Sequence, residues 1–441
     1  MTAALASSIH AEPVDSFKMP LWFEDQSSWL TGAAGSTGAI YNYPLALRWE
    51  GPVDREALRN AVDQLVVRHD VFRTVFDNAG QGTTARVLPP RRVDWDLRDA
   101  DPDELPDCAA SFTLRPFDIR SDQLLRAQLI RISDENHVLL LASHHLVYDD
   151  WSNDIATREI AALYASAPHG SQSLPAISFR YGDFVRWQND RLSGSVLAKR
   201  MAFWRKTLDH PSHFHHLQPD LDGDPNSTRG GLVSHRVEAP LAFGIQALAH
   251  ETRSSLFIVM LAAFQCLLHR RSGNDDIGVA SCSANRARPE VEQLIGRFGN
   301  DLVIRVSLAG NPTFRDFMRQ VRGASLDGYS HQDVPFGQIM TEIAPAGHPA
   351  HKRLFQTMFI LRSAPRTDAT VPGVRLTRVP VALGTAKYDL NVWIDIDAGL
   401  GVAFEYRADR FSMSFMTELL KDYRQLLDAA VNAPETRISE L

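Results

Sequence analysis

The feature that most constrains the fold is a predicted β-hairpin that ends in two adjacent histidines. Residues 125–131 alternate between apolar and more polar side chains, and the Ser-Asp-Glu-Asn sequence at 133–136 is typical of a turn. Residues 138–142 are all apolar, which is typical of a strand covered on both faces. The sequence therefore predicts a central strand in a mixed α/β fold, and this strand leads directly to His144 and His145.

Helical and strand patterns are mixed along the rest of the chain. Helical spacing occurs at 54–67, with Asp54 as a plausible N-cap, after Ser152, across much of 181–208, and in the apolar stretch 256–268. Further strands are predicted at 39–49 and near 232–237, 277–282, 301–307, 389–395 and 401–407. The stretch 165–174 is rich in Ser, Pro and Gly and is the best candidate for a linker. We predict two α/β lobes joined near residue 178.

Composition excludes several classes of function. A net charge of −7 provides no basic surface for the phosphates of a nucleic acid. The apolar stretch 256–268 is too short for a membrane span. The three cysteines have no metal-ligand spacing, and His144 and His145 lack the further ligands that a metal site needs. We expect a soluble cytoplasmic protein with no nucleic acid partner, no membrane partner and no metal.

The two histidines and the carboxylate that follows them are poorly suited to plain packing. Adjacent residues of a strand face opposite sides, so one imidazole can face a cleft while the other is held in the core. Histidine suits acid–base chemistry because its ordinary pKa of about 6.5 lies near neutral pH. Asp149 follows His145 by four positions.

The segment 143–152 resembles the HHxxxDG signature of the condensation domains of nonribosomal peptide synthetases. Five other segments resemble motifs of this family and follow the family's order along the chain. They are 68–76 (RHxxLRTxF), 181–187 (YxDFxxW), 295–300 (IGxFxN), 331–336 (HQDxPF) and 353–356 (PLFQ type). Six matches in order leave little room for chance.

The resemblance implies a fold of two chloramphenicol-acetyltransferase-like lobes arranged as a V, with the active site at their junction. Residues 1–178 would form the first lobe and residues 179–441 the second. The donor would be an acyl or aminoacyl thioester on the 4′-phosphopantetheine of a carrier protein, with no other cofactor bound. The acceptor would be an amine or an alcohol, free or carrier-bound, giving an amide or an ester. No carrier-protein or adenylation motif is recognisable, so we expect a free-standing enzyme that meets its carrier protein in trans.

The resemblance also assigns roles to residues. By its match to the signature, His145 is the catalytic histidine, with His144 and Ser152 as supporting residues. Asp149 is the structural carboxylate and is expected to pair with an arginine, for which Arg68 and Arg73 are both candidates. Four residues of the later motifs either line a substrate tunnel or shape a loop that bridges the lobes: Asn300, His331, Gln332 and Asp333. Because no nucleophilic Ser or Cys stands out, we expect direct transfer without an acyl-enzyme.

Asp150 departs from the family's pattern because it replaces the glycine of the signature. A carboxylate here either adds bulk and negative charge beside His145 or faces solvent at the start of a helix, where negative charge is favourable. The departure leaves a second interpretation open, that of an X-type domain that recruits tailoring oxygenases without condensing. A coenzyme-A-dependent acyltransferase of the same fold is a third.

Overall fold

In the computed structural model, the described residues are 16–19, 38–78, 83–166, 174–209, 217–224, 227–343, 355–362, 369, 371–396 and 399–441. All of the candidate site residues lie within these ranges. The predicted linker at 165–174 lies mostly outside them, as do the first two residues of the 353–356 motif.

The described strands fall into three sheets. In chain order they are β1 (Ser16–Met19), β2 (Asn42–Glu50), β3 (Thr74–Asn78), β4 (Thr83–Val87), β5 (Asp94–Asp99), β6 (Leu125–Ser133), β7 (Asn136–His144), β8 (Gly230–Arg236), β9 (Asp276–Ser283), β10 (Asn300–Ser307), β11 (Thr357–Arg362), β12 (Arg375–Val379), β13 (Leu390–Asp395) and β14 (Gly401–Arg407). One sheet has the order β12-β2-β7-β6-β5, a second the order β10-β9-β11-β13-β14-β8, and a small third sheet the order β1-β4-β3.

The α-helices of the described residues are numbered in the same way. They are α1 (Arg55–Arg68), α2 (Leu105–Thr113), α3 (Asp150–Ser166), α4 (Tyr181–Arg191), α5 (Gly194–Thr207), α6 (Ala239–Glu251), α7 (Leu256–Ser272), α8 (Phe314–Ser330), α9 (Phe336–Ile343) and α10 (Met413–Asn432). A mixed α/β fold built around two large sheets is therefore confirmed.

Local sequence signals account for the main elements. The Asp54 side chain accepts a hydrogen bond from the Ala57 N–H at 3.0 Å and caps α1 as predicted. The apolar α7 is buried along 257–268 in the core of the second sheet, and it is capped at its C-terminal end by Gly273, whose φ of 67° suits glycine. The strands β6 and β7 form the predicted hairpin, and every residue of β7 after Asn136 is buried.

The first sheet contains a strand from late in the chain. β12 pairs antiparallel with β2, so that Leu376 lies opposite Trp49, while β2 pairs on its other edge with β7. Residues 375–379 belong to the segment predicted to form the second lobe. The first sheet is thus completed by residues that follow most of the second sheet in sequence, and the boundary near residue 178 stays a prediction.

A second link between the two halves lies beside the histidines. Tyr148, which follows β7, and Phe298, which precedes β10, belong to the same buried apolar cluster.

No single helix of the described ranges is long and apolar enough to cross a bilayer. The helices α6 and α7 reach the necessary length only together, and the pair is bent by 107°.

Candidate active site

The two histidines lie where β7 leaves its sheet. Asn42 of β2 is opposite His144, and the His145 N–H donates to the Tyr41 carbonyl at 2.8 Å. Helix α3 begins five residues later, at Asp150. The end of a buried strand, a short turn and the start of a helix therefore fix the backbone of the 144–150 segment from both sides.

His145 is held in one tautomer by its own turn. Its Nδ1 lies 2.6 Å from the carbonyl oxygen of Tyr148. Since a carbonyl only accepts, Nδ1 carries the proton and Nε2 of the neutral ring keeps a lone pair. Burial, followed by the positive charges of Arg297 and Lys387, lowers the pKa of His145 well below 6.5, and the Tyr148 carbonyl offsets this only in part. The imidazole is therefore neutral at pH 7.

His144, the last residue of β7, is buried, and it is therefore the histidine of the pair that is held in the core. Its Nδ1 accepts a hydrogen bond from the Leu146 N–H at 3.2 Å, and its ring meets the edge of Phe117. Burial, with the charges of Lys387 and Arg297, lowers the pKa of His144 to about 3. His144 thus shapes the turn as a neutral side chain.

Asp149 forms an ion pair with Arg286, from the other half of the chain. The Nη2 of Arg286 donates to Oδ1 at 3.0 Å and to Oδ2 at 3.1 Å. Both side chains are almost completely buried. The prediction that Asp149 pairs with Arg68 or Arg73 is therefore wrong for both arginines, although the expectation of an arginine partner is met.

The two predicted arginines are held elsewhere. Arg68 ends α1, and its Nε donates to Oε1 of Glu159, on α3, at 3.0 Å. Arg73 donates to the carbonyl of Leu88 at 2.8 Å. Membership of the motif at 68–76 does not tell which arginine reaches Asp149. The partner of Asp149 is decided by how the second half of the chain packs against the first.

Asp149 also organises the start of α3 and the loop before β10. It accepts from the backbone N–H of Ser152 at 3.0 Å, from its hydroxyl at 2.7 Å, and from the N–H of Phe298 at 3.2 Å. Ser152 in turn accepts from the N–H of Gly296 at 3.2 Å. A Cβ at Gly296 would lie 2.5 Å from the ring of Tyr181, so this close approach requires glycine. Asp149 and Ser152 therefore join the two halves next to His145.

Asp150 is the half-buried first residue of α3, where negative charge is favourable, and its hydrogen bonds go to residues other than His145. Its Oδ1 accepts from the hydroxyl of Tyr43 at 3.1 Å and from Nδ2 of Asn153 at 3.1 Å. Tyr43, on β2, stacks on the imidazole of His145 with ring centroids 5.2 Å apart and planes inclined by 28°. The carboxylate at the signature's glycine position therefore reaches the histidine through a tyrosine.

The motif at 295–300 is joined to the motif at 331–336 by the hydrogen bonds of Asn300. Asn300 Nδ2 donates to the carbonyls of Gln332 and Val334 at 2.7 and 2.6 Å, and its Oδ1 accepts from the Phe336 N–H at 3.0 Å. The His331 ring stacks on Phe203, and Asp333 pairs with Arg200 at 3.2 Å. Both of these partners lie on α5.

Gln332 differs from its neighbours because it lines a cavity of about 720 Å³. The hydroxyl of Ser283 donates to Gln332, and Ser283 also lines the cavity. Arg286, the partner of Asp149, lies in the same lining, as do Arg253 and Arg322. The cavity is therefore lined by both apolar and polar side chains, carries the positive charge of Arg253 and Arg322, and reaches Arg286 of the ion pair with Asp149.

Sequence reasoning missed Tyr43, Arg286, Arg297 and Lys387. Tyr43 lies in a correctly predicted strand, and Arg297 lies inside the motif at 295–300, but no periodicity or spacing distinguishes them.

Within the described ranges, no group of three or more His, Cys, Asp or Glu side chains is arranged to hold a metal ion.

Comparison with known proteins identifies the family of the chain. The family described as the condensation domain matches residues 19–441. The chain belongs to the condensation-domain family. Among curated relatives, chondramide synthase of Chondromyces crocatus is 34% identical over 98% of the chain, and a dimodular nonribosomal peptide synthase of Bacillus subtilis is 31% identical over 96%. The chain spans only 11% and 18% of the lengths of these two condensation-domain proteins.

Two solved structures resemble this condensation domain over almost its whole length. The X-domain from teicoplanin biosynthesis matches with a TM-score of 0.84 and 24% identity, covering 96% of this chain and 97% of the other. The SgcC5 protein from Streptomyces globisporus matches with a TM-score of 0.78 and 25% identity, covering 95% and 100%. The predicted fold of two chloramphenicol-acetyltransferase-like lobes is therefore confirmed, because the two large sheets match those of condensation-domain structures.

Proposed function

We propose that this chain is a condensation enzyme that transfers an acyl or aminoacyl group from the 4′-phosphopantetheine of a carrier protein to an amine or an alcohol. The observation that carries the proposal is the state of His145, a neutral imidazole whose Nδ1–H is bound to the Tyr148 carbonyl. Its Nε2 is then a hydrogen-bond acceptor for the attacking group. Condensation domains act on carrier-bound thioesters, and synthetases that contain them generally work in the cytoplasm.

The reaction needs no covalent enzyme intermediate. The nitrogen or oxygen of the acceptor attacks the thioester carbon, the C–N or C–O bond forms, and the C–S bond breaks. The proton that the acceptor loses ends on the thiol of the carrier's arm, so that charge balances. His145 Nε2 accepts the hydrogen bond of the attacking N–H or O–H and orients it towards the carbonyl.

The electrostatics favour orientation over strong basicity. An imidazole with a depressed pKa is a weak base, so its main contribution is a hydrogen bond that becomes stronger as the acceptor becomes acidic during attack. The charges of Arg297 and Lys387, which lower the pKa of His145, also suit the negative charge that develops on the thioester oxygen.

The cavity behind the Asp149–Arg286 pair supports the proposed substrate class. Its mixed lining suits the methylene groups and amides of a pantetheine arm, since Ser283 and Gln332 offer hydrogen bonds among apolar side chains, and Arg253 and Arg322 suit the phosphate of that arm. We therefore propose that one carrier-bound substrate approaches the site by way of this cavity.

The test is a transfer assay that is followed by mass spectrometry of the intact carrier protein. Carrier proteins loaded with aminoacyl groups are combined with the wild type and with a panel of amines and alcohols. His145→Ala should slow unloading by about a hundredfold or more. His250→Ala, which removes an exposed histidine of α6, is the matched control and should leave the rate unchanged. Equal unloading by wild type and His145→Ala would contradict the proposal, and turnover of a soluble acyl-coenzyme A without a carrier would indicate an acyltransferase of that class.

Asp150 favours a second candidate function, recruitment of an oxygenase without condensation. A carboxylate replaces the signature's glycine, and the resembling X-domain has been solved in complex with OxyB. Under this alternative, neither the wild type nor His145→Ala unloads any carrier. Both proteins would then bind a carrier protein or an oxygenase with equal affinity in calorimetry, whereas the condensation proposal requires turnover by the wild type.

A further inference from the structure

Five residues form a closed set of contacts around the imidazole of His145, which we call the His145 network: Tyr43, His145, Tyr148, Asp150 and Asn153. The Tyr148 carbonyl holds the imidazole, and the Tyr148 hydroxyl donates to Oδ1 of Asn153 at 3.1 Å. Asn153 donates to Asp150, Asp150 accepts from Tyr43, and Tyr43 stacks on the imidazole. Each member therefore has a partner within the network.

The network restrains the imidazole in two directions, at its edge and on its face. The hydrogen bond to Tyr148 lies at the edge of the ring and fixes which nitrogen carries the proton. Tyr43 covers a face of the ring at a centroid distance typical of stacked aromatic side chains. The Tyr43 hydroxyl is anchored to Asp150, and burial followed by the charge of Asp150 raises the pKa of Tyr43 well above 10, so that it remains a donor.

We infer that Tyr43 is a positioning residue for His145 and that Asp150, at the signature's glycine position, sets the orientation of Tyr43. A glycine at position 150 has no acceptor for the Tyr43 hydroxyl, so the phenol ring loses its anchor. The consequence for catalysis rests on the role proposed above for His145, whereas the restraint of the imidazole does not.

The effect of Asp150 is one of geometry rather than of direct charge. Among the described residues, Arg297, Lys387 and His144 are the charged or titratable groups that act on His145 most strongly, and Asp150 is not one of them. Substituting Asp150 is therefore expected to change the orientation and tautomer of the imidazole more than its charge.

The first test uses the protein without substrate. In ¹⁵N-histidine-labelled protein at neutral pH, the signals of His145 are assigned by their loss in His145→Ala. The wild type should show a protonated Nδ1 and an unprotonated Nε2. In Tyr43→Leu and Asp150→Gly the imidazole is no longer held on its face, so it can turn away from the Tyr148 carbonyl, and its signals should be averaged between the two tautomers. Asp150→Asn, which keeps an acceptor oxygen, should return the signals towards those of the wild type.

Tyr164→Phe is the matched control. It removes a phenol hydroxyl from α3 that accepts from the Asp54 N–H at 2.9 Å, outside the His145 network. Its His145 signals should match those of the wild type. Unchanged His145 signals in Tyr43→Leu and Asp150→Gly, with both variants folded as judged by circular dichroism, would overturn the inference.

Activity separates this inference from the proposed function. If the chain condenses, Asp150→Gly and Tyr43→Leu should lower kcat by on the order of tenfold to a hundredfold, the scale of a misplaced catalytic group, with a smaller change in KM. Altered His145 signals in a protein whose wild type never turns over would retain the positioning role and reject the condensation function. A kcat that is unchanged or higher in Asp150→Gly, in a wild type that does turn over, would overturn the positioning role.

Discussion

Arg286 and Asp149 are 137 positions apart in the chain, yet the guanidinium of Arg286 lies 3.0 and 3.1 Å from the two carboxylate oxygens of Asp149. The same guanidinium donates through Nη1 to the carbonyls of Val291 and Leu294 at 2.6 and 2.7 Å. It also lies 4.1 Å from the centre of the Phe298 ring. One buried arginine thus fixes the loop before β10 and the carboxylate that follows the histidines.

Removing one partner of this pair should be costly. Arg286→Met leaves a buried carboxylate without its counter-charge, and we expect a loss of about 3–5 kcal/mol in the free energy of unfolding. Urea denaturation followed by circular dichroism measures it. Arg319→Met, which removes an exposed arginine of α8 beside Asp316, is the control and should leave the midpoint unchanged. Equal midpoints for Arg286→Met and the wild type would mean that the pair contributes nothing to stability.

The rate of condensation should not fall between about pH 8 and about pH 6 through titration of His145. Burial and the charges of Arg297 and Lys387 hold the pKa of His145 well below 6.5, so the ring stays neutral across this range. The measurement is kcat/KM with an alcohol acceptor, whose hydroxyl does not titrate there. A thermal melt at each pH controls for unfolding, because unfolded His145 regains its ordinary pKa and acid therefore favours the unfolded chain. Half-maximal activity near pH 6.5 in a fully folded protein would contradict this expectation.

Glu159 should stabilise the fold in a pH-dependent manner. Burial raises the pKa of its carboxyl, but the contacts with His69 at 2.7 Å and Arg68 at 3.0 Å outweigh burial and lower it below 4.5. A depressed pKa in the folded state adds stability above the unfolded pKa, and this is lost as the pH falls through the folded pKa. Glu159→Gln should therefore be less stable than the wild type at pH 7, and the difference should shrink towards about pH 4. Urea titrations at a series of pH values test this; a constant difference would exclude a role for the charge.

Replacing Asn300 by Ala or by Asp should lower the free energy of unfolding. Its Nδ2 donates to the partly buried carbonyl of Gln332 and the buried carbonyl of Val334, so Asn300→Ala leaves the Val334 carbonyl unsatisfied, at a cost of about 1–3 kcal/mol. Asn300→Asp should be worse, because a carboxylate replaces a donor with negative charge against those carbonyls. Urea denaturation of both variants gives the order, and a more stable Asn300→Asp would contradict the assigned hydrogen bonds.

The helices and strands could be predicted from the sequence better than the contacts between the side chains of the site. The hairpin of β6 and β7, the core helix α7 and the N-cap at Asp54 follow from periodicity and local chemistry, which act over a few residues. Strand alternation also indicated that one of the two histidines could be held in the core, and this histidine is His144. These signals do not depend on how distant segments meet.

The partners of the site residues could not be obtained in the same way. Arg286 reaches Asp149 only because the loop before β10 folds against the start of α3, and no local pattern encodes that contact. Tyr43 reaches His145 through the register of β2 against β7, in which Tyr43 lies opposite Ser143. The role of Asp150 is to accept a hydrogen bond from the Tyr43 hydroxyl. These two residues are 107 positions apart in the chain, so no local pattern predicts the bond.

The strand β12 has a consequence for dividing this chain or recombining it with relatives. Because residues 375–379 supply the edge of the first sheet, a cut near residue 178 would leave the far edge of β2 with unpaired backbone groups. Such an edge is a template for aggregation. A chimera that exchanges only the first 178 residues would pair a foreign β2 with the resident β12. The exchangeable unit for the histidine-bearing sheet is therefore discontinuous, and residues 375–379 must be transplanted together with the N-terminal segment.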